Sequence, residues 1–383
     1  NAGNPTALRT IPGVRYVEPS FEFLLETQEG TGDVPVAPAD AAAPQSTTAP
    51  WFATGVQWNL RAIQAPAAWA NSTGGTGANA CIIDSGIDET HQELAGKVVA
   101  RESFVPMGAS TSPAPLDSNG HGTHVAGTVT ANGLVTAGVA PAANLMAAKV
   151  FAASGGTPVA RVVNALRWCA DNGAHTINMS LGGIRYYPPT PITSEPSYAA
   201  YADGVKYATD RGVVVVVSAG NSNIRLDNPR LVVLPAQVPG TIIVGATGPL
   251  SRSGLWPVDG ANRTLPLTVL STPVSWNPYS AEQVWQGVDG KAFYSNFGTG
   301  VHVFAPGGRG GVPAGYINRI VADAGGTRVQ QTGSAYDNIF AACSRFATYT
   351  GFQNTGGNAV STAQSCRAAN LPNRYAALAG TSM

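Results

Sequence analysis

Charge is scarce in this chain of 383 residues. Lys and Arg together number 22, Asp and Glu another 22, and the formal net charge is zero. Such a balance offers no basic surface to a nucleic acid and no polybasic stretch to an anionic membrane. Long hydrophobic runs are missing too. The longest β-rich one, Val213 to Val217, falls far short of the roughly 18 residues that a bilayer span needs. Neither nucleic acid nor membrane is therefore expected as a partner. No leader with a basic start and an apolar middle opens the chain. The protein is then either cytosolic or parted from its targeting segment.

Apolar residues are not scarce. They make up 44% of the chain, enough for a sizeable core, and the 45 glycines and 28 prolines make it loop-rich without reaching the composition of disorder. Four cysteines do not decide the redox compartment by count alone. Cys81 sits inside an apolar strand and Cys169 on a helical stripe, so each is expected to be a free, buried thiol. Cys343 and Cys366 lie in a polar stretch rich in Gly, Ser and Asn. A disulfide between those two is expected, which implies an oxidising compartment.

The chain changes character along its length. Residues 13–23 alternate weakly and read as one strand cut from something larger. Residues 28–50 are rich in Pro, Ala, Thr and Gly, carry no apolar period and read as a linker. Apolar strands then alternate with helices. The strands are expected at Ala80–Asp84, Leu145–Phe151, His175–Ser180, Val213–Ser218, Thr241–Ala246 and Val301–Ala305. One helix is marked by Val159, Val162, Val163, Leu166 and Cys169 and stopped by Gly173. A second runs over Tyr198, Tyr201, Ala202, Val205 and Ala208 and stops at Gly212. Strands apolar throughout are buried on both faces, so this is an α/β domain with a mostly parallel sheet and helices on both sides. Stretches 247–291 and 308–378 read as long irregular insertions.

In such a sheet the chemistry gathers at the carboxyl ends of strands. Asp84 ends the strand CIID, Ser180 ends HTINMS, and Asn221 follows VVVVVSAG. A buried carboxylate needs a partner, and the helix opening at Asn119-Gly-His-Gly-Thr-His supplies His121. An Asp–His pair alone could be structural. Gly380-Thr-Ser-Met383 adds a serine presented after a glycine turn. A serine hydroxyl becomes nucleophilic when an imidazole takes its proton, and a carboxylate orients that imidazole. Asn221 and the Ser382 backbone N–H are placed to stabilise the oxyanion that follows.

Four segments, Asp84-Ser-Gly-Ile-Asp88, His121-Gly-Thr-His-Val-Ala-Gly127, Ser218-Ala-Gly-Asn221 and Gly380-Thr-Ser-Met383, resemble the signature motifs of subtilases, the subtilisin and proteinase K family. The order Asp, His, Ser is also theirs. The resemblance implies a secreted serine endopeptidase of subtilisin-like fold, acting through an acyl-enzyme on Ser382. It implies that Ser180, Leu181 and Gly182 pair with the substrate backbone. Ser218, Ala219 and Gly220, with Leu234, Pro235 and Ala236, would wall the primary specificity pocket, for a broad, apolar or aromatic preference. Residues 1–27 resemble the end of an inhibitory propeptide, which would make the chain its own partner, and residues 51–383 the catalytic domain. Family members continue past the nucleophile, whereas this chain ends at Met383, so a domain truncated at its C-terminus is expected. A non-catalytic or self-inhibited peptide-binding fragment is the alternative.

No cofactor is expected in the chemistry. Structural calcium is a candidate, because Glu93 falls where the family has an acidic calcium ligand. The partner loop offers only Asn132, Thr130 and Thr136 as side-chain oxygens, few against the six to eight that calcium takes. His124, one turn after His121, reads as structural and not as a zinc ligand. His91, His175 and His302 read the same way, and Asp88 as a turn residue.

Overall fold

The computed structural model describes residues 10–14, 17, 22–24, 28–29, 47–53, 57–106, 116–153, 156–186, 195–249, 289–292, 294–308, 321–322, 328–329, 338–347, 352–353, 359–360 and 374–383. Most of the expected linker, most of the two insertions, and Cys366 lie outside them. The elements that build the site are strands β1 (Glu22–Leu24), β2 (Asn79–Asp84), β3 (Val98–Ser103), β4 (Asn144–Lys149), β5 (Gly156–Pro158), β6 (Thr176–Met179), β7 (Gly183–Tyr186), β8 (Val214–Ser218), β9 (Leu231–Leu234), β10 (Thr241–Pro249), β11 (Asp289–Lys291), β12 (Val303–Pro306), β13 (Ile339–Cys343) and β14 (Arg374–Ala379). The helices are α1 (His121–Val129), α2 (Val159–Asp171) and α3 (Pro196–Thr209).

The central sheet runs β3-β4-β2-β6-β8-β10, all parallel, and β10 pairs with both β12 (parallel) and β11 (antiparallel). From β2 the chain first winds outward to β3 and β4, then crosses back to β6 and onward. The reversal places a topological switch point at the end of β2.

Period-two alternation divides the core. Cys81 and Ile83 of β2 join Met146, Val162, Leu166, Tyr201 and Val205 in a cluster under α2 and α3. Ala80 and Ile82 join Leu145, Ala147, Val125 and Ala126 under α1. One apolar strand thus feeds two cores, which is why it shows no polar alternation. The α2 stripe buries Val162, Ala165, Leu166 and Cys169, and the chain leaves the helix through Gly173 at φ 84°. That conformation costs glycine little.

Two expectations change. Part of the stretch 308–378, read as irregular, is the fully buried strand β13, paired antiparallel with β14 and packed on α1. Its sequence IFAAC is short, so no period betrays it. Cys343 accordingly has a core to join, with Ala376 and Leu378.

The second change concerns the thiols. Cys81 and Cys169 are not free; they are bonded to each other, with Cα atoms 6.0 Å apart, across 88 residues of sequence. Both were expected to be buried, and both are. The reading missed that α2 lies directly on β2, so that two inward-facing cysteines meet within bonding range. Cys343 is also disulfide-bonded, and no described cysteine is free. Thiol titration under denaturing, non-reducing conditions should therefore find none. Replacing Cys81 and Cys169 by Ser should lower stability by roughly 4 kcal/mol on the chain-entropy account of a loop this long. Two reactive thiols in the unreduced protein would overturn the pairing.

Candidate active site

Asp84 is the last residue of β2 and has no exposed surface. Its carboxylate meets the His121 ring: Nδ1 lies 2.8 Å from Oδ1 and 2.9 Å from Oδ2. The Ser85 backbone N–H donates to the same Oδ1 at 2.7 Å. His121 is the first residue of α1, which starts hard against the Asp84 strand end. A Cβ on Gly122 would collide with the Gly86 carbonyl oxygen and crowd Asp84 Oδ1, so the second helical position has room only for glycine. His121 is fully buried too, and its Nε2 has no hydrogen-bond partner among the described residues.

Ser382 follows β14 through Gly380. The Gly380 N–H donates to the Gly307 carbonyl at 2.9 Å, and the Tyr294 hydroxyl donates to the carbonyls of Gly307 and Gly308 at 2.8 and 2.7 Å. Burial pushes that tyrosine well above its ordinary pKa, so it stays a donor. The Ser382 hydroxyl makes its contact with the Ser180 carbonyl, at a long 3.4 Å, while Ser180 Oγ donates to the Ser382 carbonyl at 2.7 Å. The structure thus joins Asp84 to His121 and Ser382 to Ser180, and leaves the serine hydroxyl unbonded to the imidazole.

Asn221, the expected oxyanion donor, packs against Thr381. Its Oδ1 accepts from the Thr381 N–H and from Thr381 Oγ1, each at 2.9 Å. The amide is thereby oriented, with Nδ2 at the end away from Thr381. The Thr381 hydroxyl also accepts the Gly220 N–H at 3.1 Å. One threonine therefore ties the residue before the serine to the 218–221 segment.

The expected substrate-facing residues also gather. Ser180, Leu181 and Gly182 connect β6 to β7, and β7 pairs antiparallel with β9, Gly183 opposite Leu234 and Ile184 opposite Val233. Leu234-Pro235 is a cis peptide, and Ala236 is buried. Ser218 ends β8, with Ala219 held by its N–H to the Val244 carbonyl at 2.8 Å.

Sequence reasoning missed Asn296. This buried side chain donates to the Ala219 carbonyl at 2.7 Å and accepts the N–H groups of Ser222 and Ile224, each at 3.1 Å. It braces the whole Asn221 loop from 75 residues away in sequence (296 − 221). No spacing rule reaches that far.

The calcium candidate can be tested against its own groups. Both Glu93 oxygens are taken by donors: Gly133 and Leu134 N–H on Oε2 at 3.0 and 3.1 Å, Val135 and Thr136 N–H on Oε1 at 2.6 and 3.0 Å. The Tyr375 hydroxyl donates to Oε1 at 3.1 Å. Asn132 turns its Nδ2 to the carbonyls of Gln92 and Ala95, and Thr130 Oγ1 donates to the Ala143 carbonyl. A cation needs converging oxygens, whereas the loop directs N–H groups inward. These residues do not fit calcium. Among the described residues no three His, Cys, Asp or Glu side chains converge as a metal site.

The other histidines have plain structural partners. His175 and His302 Nδ1 accept the N–H groups of Asn79 and Ile243 at 3.0 and 2.9 Å. His124 Nε2 lies 3.0 Å from the Ile339 carbonyl, and burial, with neighbouring His121 second, pushes its pKa down to about 3. Asp88 holds a turn: its Oδ1 accepts the Thr90 N–H and its Oδ2 the Arg345 N–H. No described helix is long and apolar enough to cross a membrane.

With this geometry in place, comparison with known proteins is informative. The chain is 39% identical over 197 residues to Subtilisin Savinase of Lederbergia lenta, covering 51% of this chain and 65% of that protein. It is 38% identical over 197 residues to Subtilisin E of Bacillus subtilis strain 168, covering 51% and 47%. The match thus spans less than two thirds of either relative's length. Among solved structures, the epidermin leader peptide processing serine protease EpiP from Staphylococcus aureus aligns with a TM-score of 0.57 at 20% identity, over 90% of this chain and 71% of that one. The nisin leader peptidase NisP from Lactococcus lactis aligns with a TM-score of 0.54 at 22% identity, over 76% and 77%. At that identity the two structures bear on fold alone. The model of the Subtilase family matches residues 75–383, and the chain belongs to that family.

Proposed function

We propose that this protein is a secreted serine endopeptidase in which Ser382, His121 and Asp84 form the charge-relay system. The carrying observation is the wholly buried Asp84–His121 pair, bonded through Nδ1, with Nε2 the ring nitrogen that has no partner among the described residues. A neutral imidazole fixed in that tautomer is a base at Nε2. For attack, the Ser382 hydroxyl leaves the Ser180 carbonyl, gives its proton to Nε2, and adds through Oγ to the peptide carbonyl carbon. Asp84 stabilises the imidazolium. The Asn221 Nδ2 and the Ser382 N–H donate to the oxyanion. The C–N bond then breaks, the amine leaves with the proton from His121, and water, activated the same way, frees the acyl group.

Secretion is supported by chemistry of the cysteines, since Cys81, Cys169 and Cys343 are all disulfide-bonded. Substrate would lie as an extended strand between β5 and the Ser180–Gly182 segment. Strand β1 already pairs antiparallel with β5, Glu22 opposite Pro158 and Leu24 opposite Gly156. That placement supports reading the N-terminal segment as a propeptide tail lying along the cleft. The same placement, together with the Ser382–Ser180 contact, favours a self-inhibited state of this chain as the second reading.

The specificity proposal follows from Val233. A Cβ on Gly182 and a Cβ on Gly220, one on each wall of the recess, would each stand 3.7 Å from Val233 Cγ1. A branched side chain fills the space where the two glycine walls converge, and it is only 2% exposed. The recess suits small apolar side chains better than aromatic ones. One or two methylenes in such a pocket change specificity by about 10–200-fold. Val233→Gly should therefore raise kcat/KM for a Phe-containing peptide relative to its Ala counterpart by at least about tenfold. An unchanged ratio would place the specificity pocket elsewhere.

Two variants of the full-length protein test the mechanism. Ser382→Ala should abolish hydrolysis and leave the N-terminal segment uncut; normal processing would reject Ser382 as nucleophile. Asn221→Leu should lower kcat by about 10²–10³, as removal of one oxyanion donor does in subtilisin, with KM nearly unchanged. A change confined to KM would make Asn221 a substrate-binding residue instead.

A further inference from the structure

Behind the Asp84–His121 pair lies a second buried carboxylate and a buried ammonium that the mechanism does not use. Asp117 is fully buried. Its Oδ1 accepts the N–H groups of Asn119 and Gly120 at 3.0 and 2.8 Å and the Ser85 hydroxyl at 2.8 Å. Its Oδ2 accepts the Thr123 N–H at 2.9 Å and the Thr123 hydroxyl at 2.6 Å. Lys149, equally buried, donates to the Ser85 carbonyl at 2.6 Å, the Leu116 carbonyl at 2.9 Å and Ser118 Oγ at 3.4 Å.

The two charges grip different ends of one joint. Asp117 holds the turn from which α1 begins, so it fixes where His121 leaves the backbone. Lys149 holds the carbonyl of the residue after Asp84, at the position directly across β2 and β4 from Asp84 itself. Ser85 couples the two: its N–H bonds Asp84, its hydroxyl donates to Asp117 and accepts the Gly122 N–H at 2.9 Å, and its carbonyl takes Lys149. Each group in the chain is buried and bonded on both sides. Displacing any of them moves the two points from which the carboxylate and the imidazole extend.

We infer that Asp117, Ser85 and Lys149 form a positioning unit for the Asp84–His121 pair, acting on catalysis through backbone placement and touching neither substrate nor reacting atoms. The inference rests on the proposed role of that pair. Its sign is set by electrostatics as well as geometry. Two carboxylates and one ammonium leave the pocket one negative charge in surplus. Conversion of neutral His121 to imidazolium brings the buried group to neutrality, in a low-dielectric setting where such a balance counts most. Burial lowers the Lys149 pKa, and Asp117 and then Asp84 oppose that shift.

The test compares Ser85→Ala and Asp117→Asn with Glu93→Gln in the full-length protein. Glu93 is the natural control, being a carboxylate just as buried and just as fully bonded, but to the 133–136 loop. All three variants should lose thermal stability. Ser85→Ala should also lower kcat by about tenfold with KM within about twofold. The low-field proton resonance of the His121 Nδ1–H should move or broaden in Ser85→Ala and Asp117→Asn and stay in place in Glu93→Gln. Wild-type kcat and an unmoved resonance in Ser85→Ala would overturn the inference and reduce the unit to a folding element. Should Asp117→Asn fail to fold, Ser85→Ala decides alone. The resonance reports positioning even in protein that hydrolyses nothing, so failure of the catalytic reading is distinguishable from failure of this one.

Discussion

A carboxylate with no exposed surface at the end of a central strand has to be compensated on every side, and the arrangement around Asp84 follows from that need. The compensation comes from three directions. His121 takes both oxygens through Nδ1, the next backbone N–H takes one of them again, and Lys149 lies across the strand pair. The first brings α1 onto the sheet with a glycine at its second position, because nothing larger passes the strand end. The third buries a lysine, which survives there only because two carbonyls and a hydroxyl receive its protons. The relation between sheet, helix and the buried Asp84–His121 pair is thus one electrostatic problem with one geometric solution.

Much of this was legible in the sequence, and for definite reasons. Strands buried on both faces announce themselves as unbroken apolar runs, and β2, β4, β6, β8 and β10 were all anticipated within a few residues. The two long helices carry clean stripes. The motif residues Asp84, His121, Asn221 and Ser382 are local signals, each next to a strand end or a glycine turn. What stayed hidden is pairwise and distant. Cys81 and Cys169 were each read correctly as buried, yet burial does not say which partner a thiol will meet. β13 is too short to show a period. Asn296 and Asp117 act chiefly on backbone groups of other residues, and a bonded backbone N–H or carbonyl leaves no mark on the side chain of the residue that owns it.

Glu93 and Asp117 illustrate two uses of the same device. Each buried carboxylate is saturated by backbone N–H groups and by hydroxyls, two at Asp117 and one at Glu93, which is among the stronger arrangements available without a metal. At Glu93 it closes a loop, 133–136, onto the strand end region and onto Tyr375 of β14. At Asp117 it closes the turn before α1. The family resemblance suggested a cation at the first of these. The direction of the loop amides decides otherwise, because N–H dipoles that favour a carboxylate repel a cation placed among them. The loop turns its donors to the acid.

The arrangement at Ser382 is the remaining step. Thr381 is bonded to Asn221 twice and to Gly220 once, so the segment proposed to hold the oxyanion is tied to the residue before Ser382. The Asp84–His121 pair is bonded as well. Between them the serine hydroxyl is parked on the Ser180 carbonyl at 3.4 Å, a weak contact by its length. Ser180 belongs to the segment proposed to pair with substrate. A peptide strand engaging that segment would compete for the Ser180 carbonyl, and the hydroxyl it displaces has one unpartnered acceptor in the buried pair, His121 Nε2. In the proposed mechanism this long contact is the one that breaks before attack. The stronger ones define what must not move while it does.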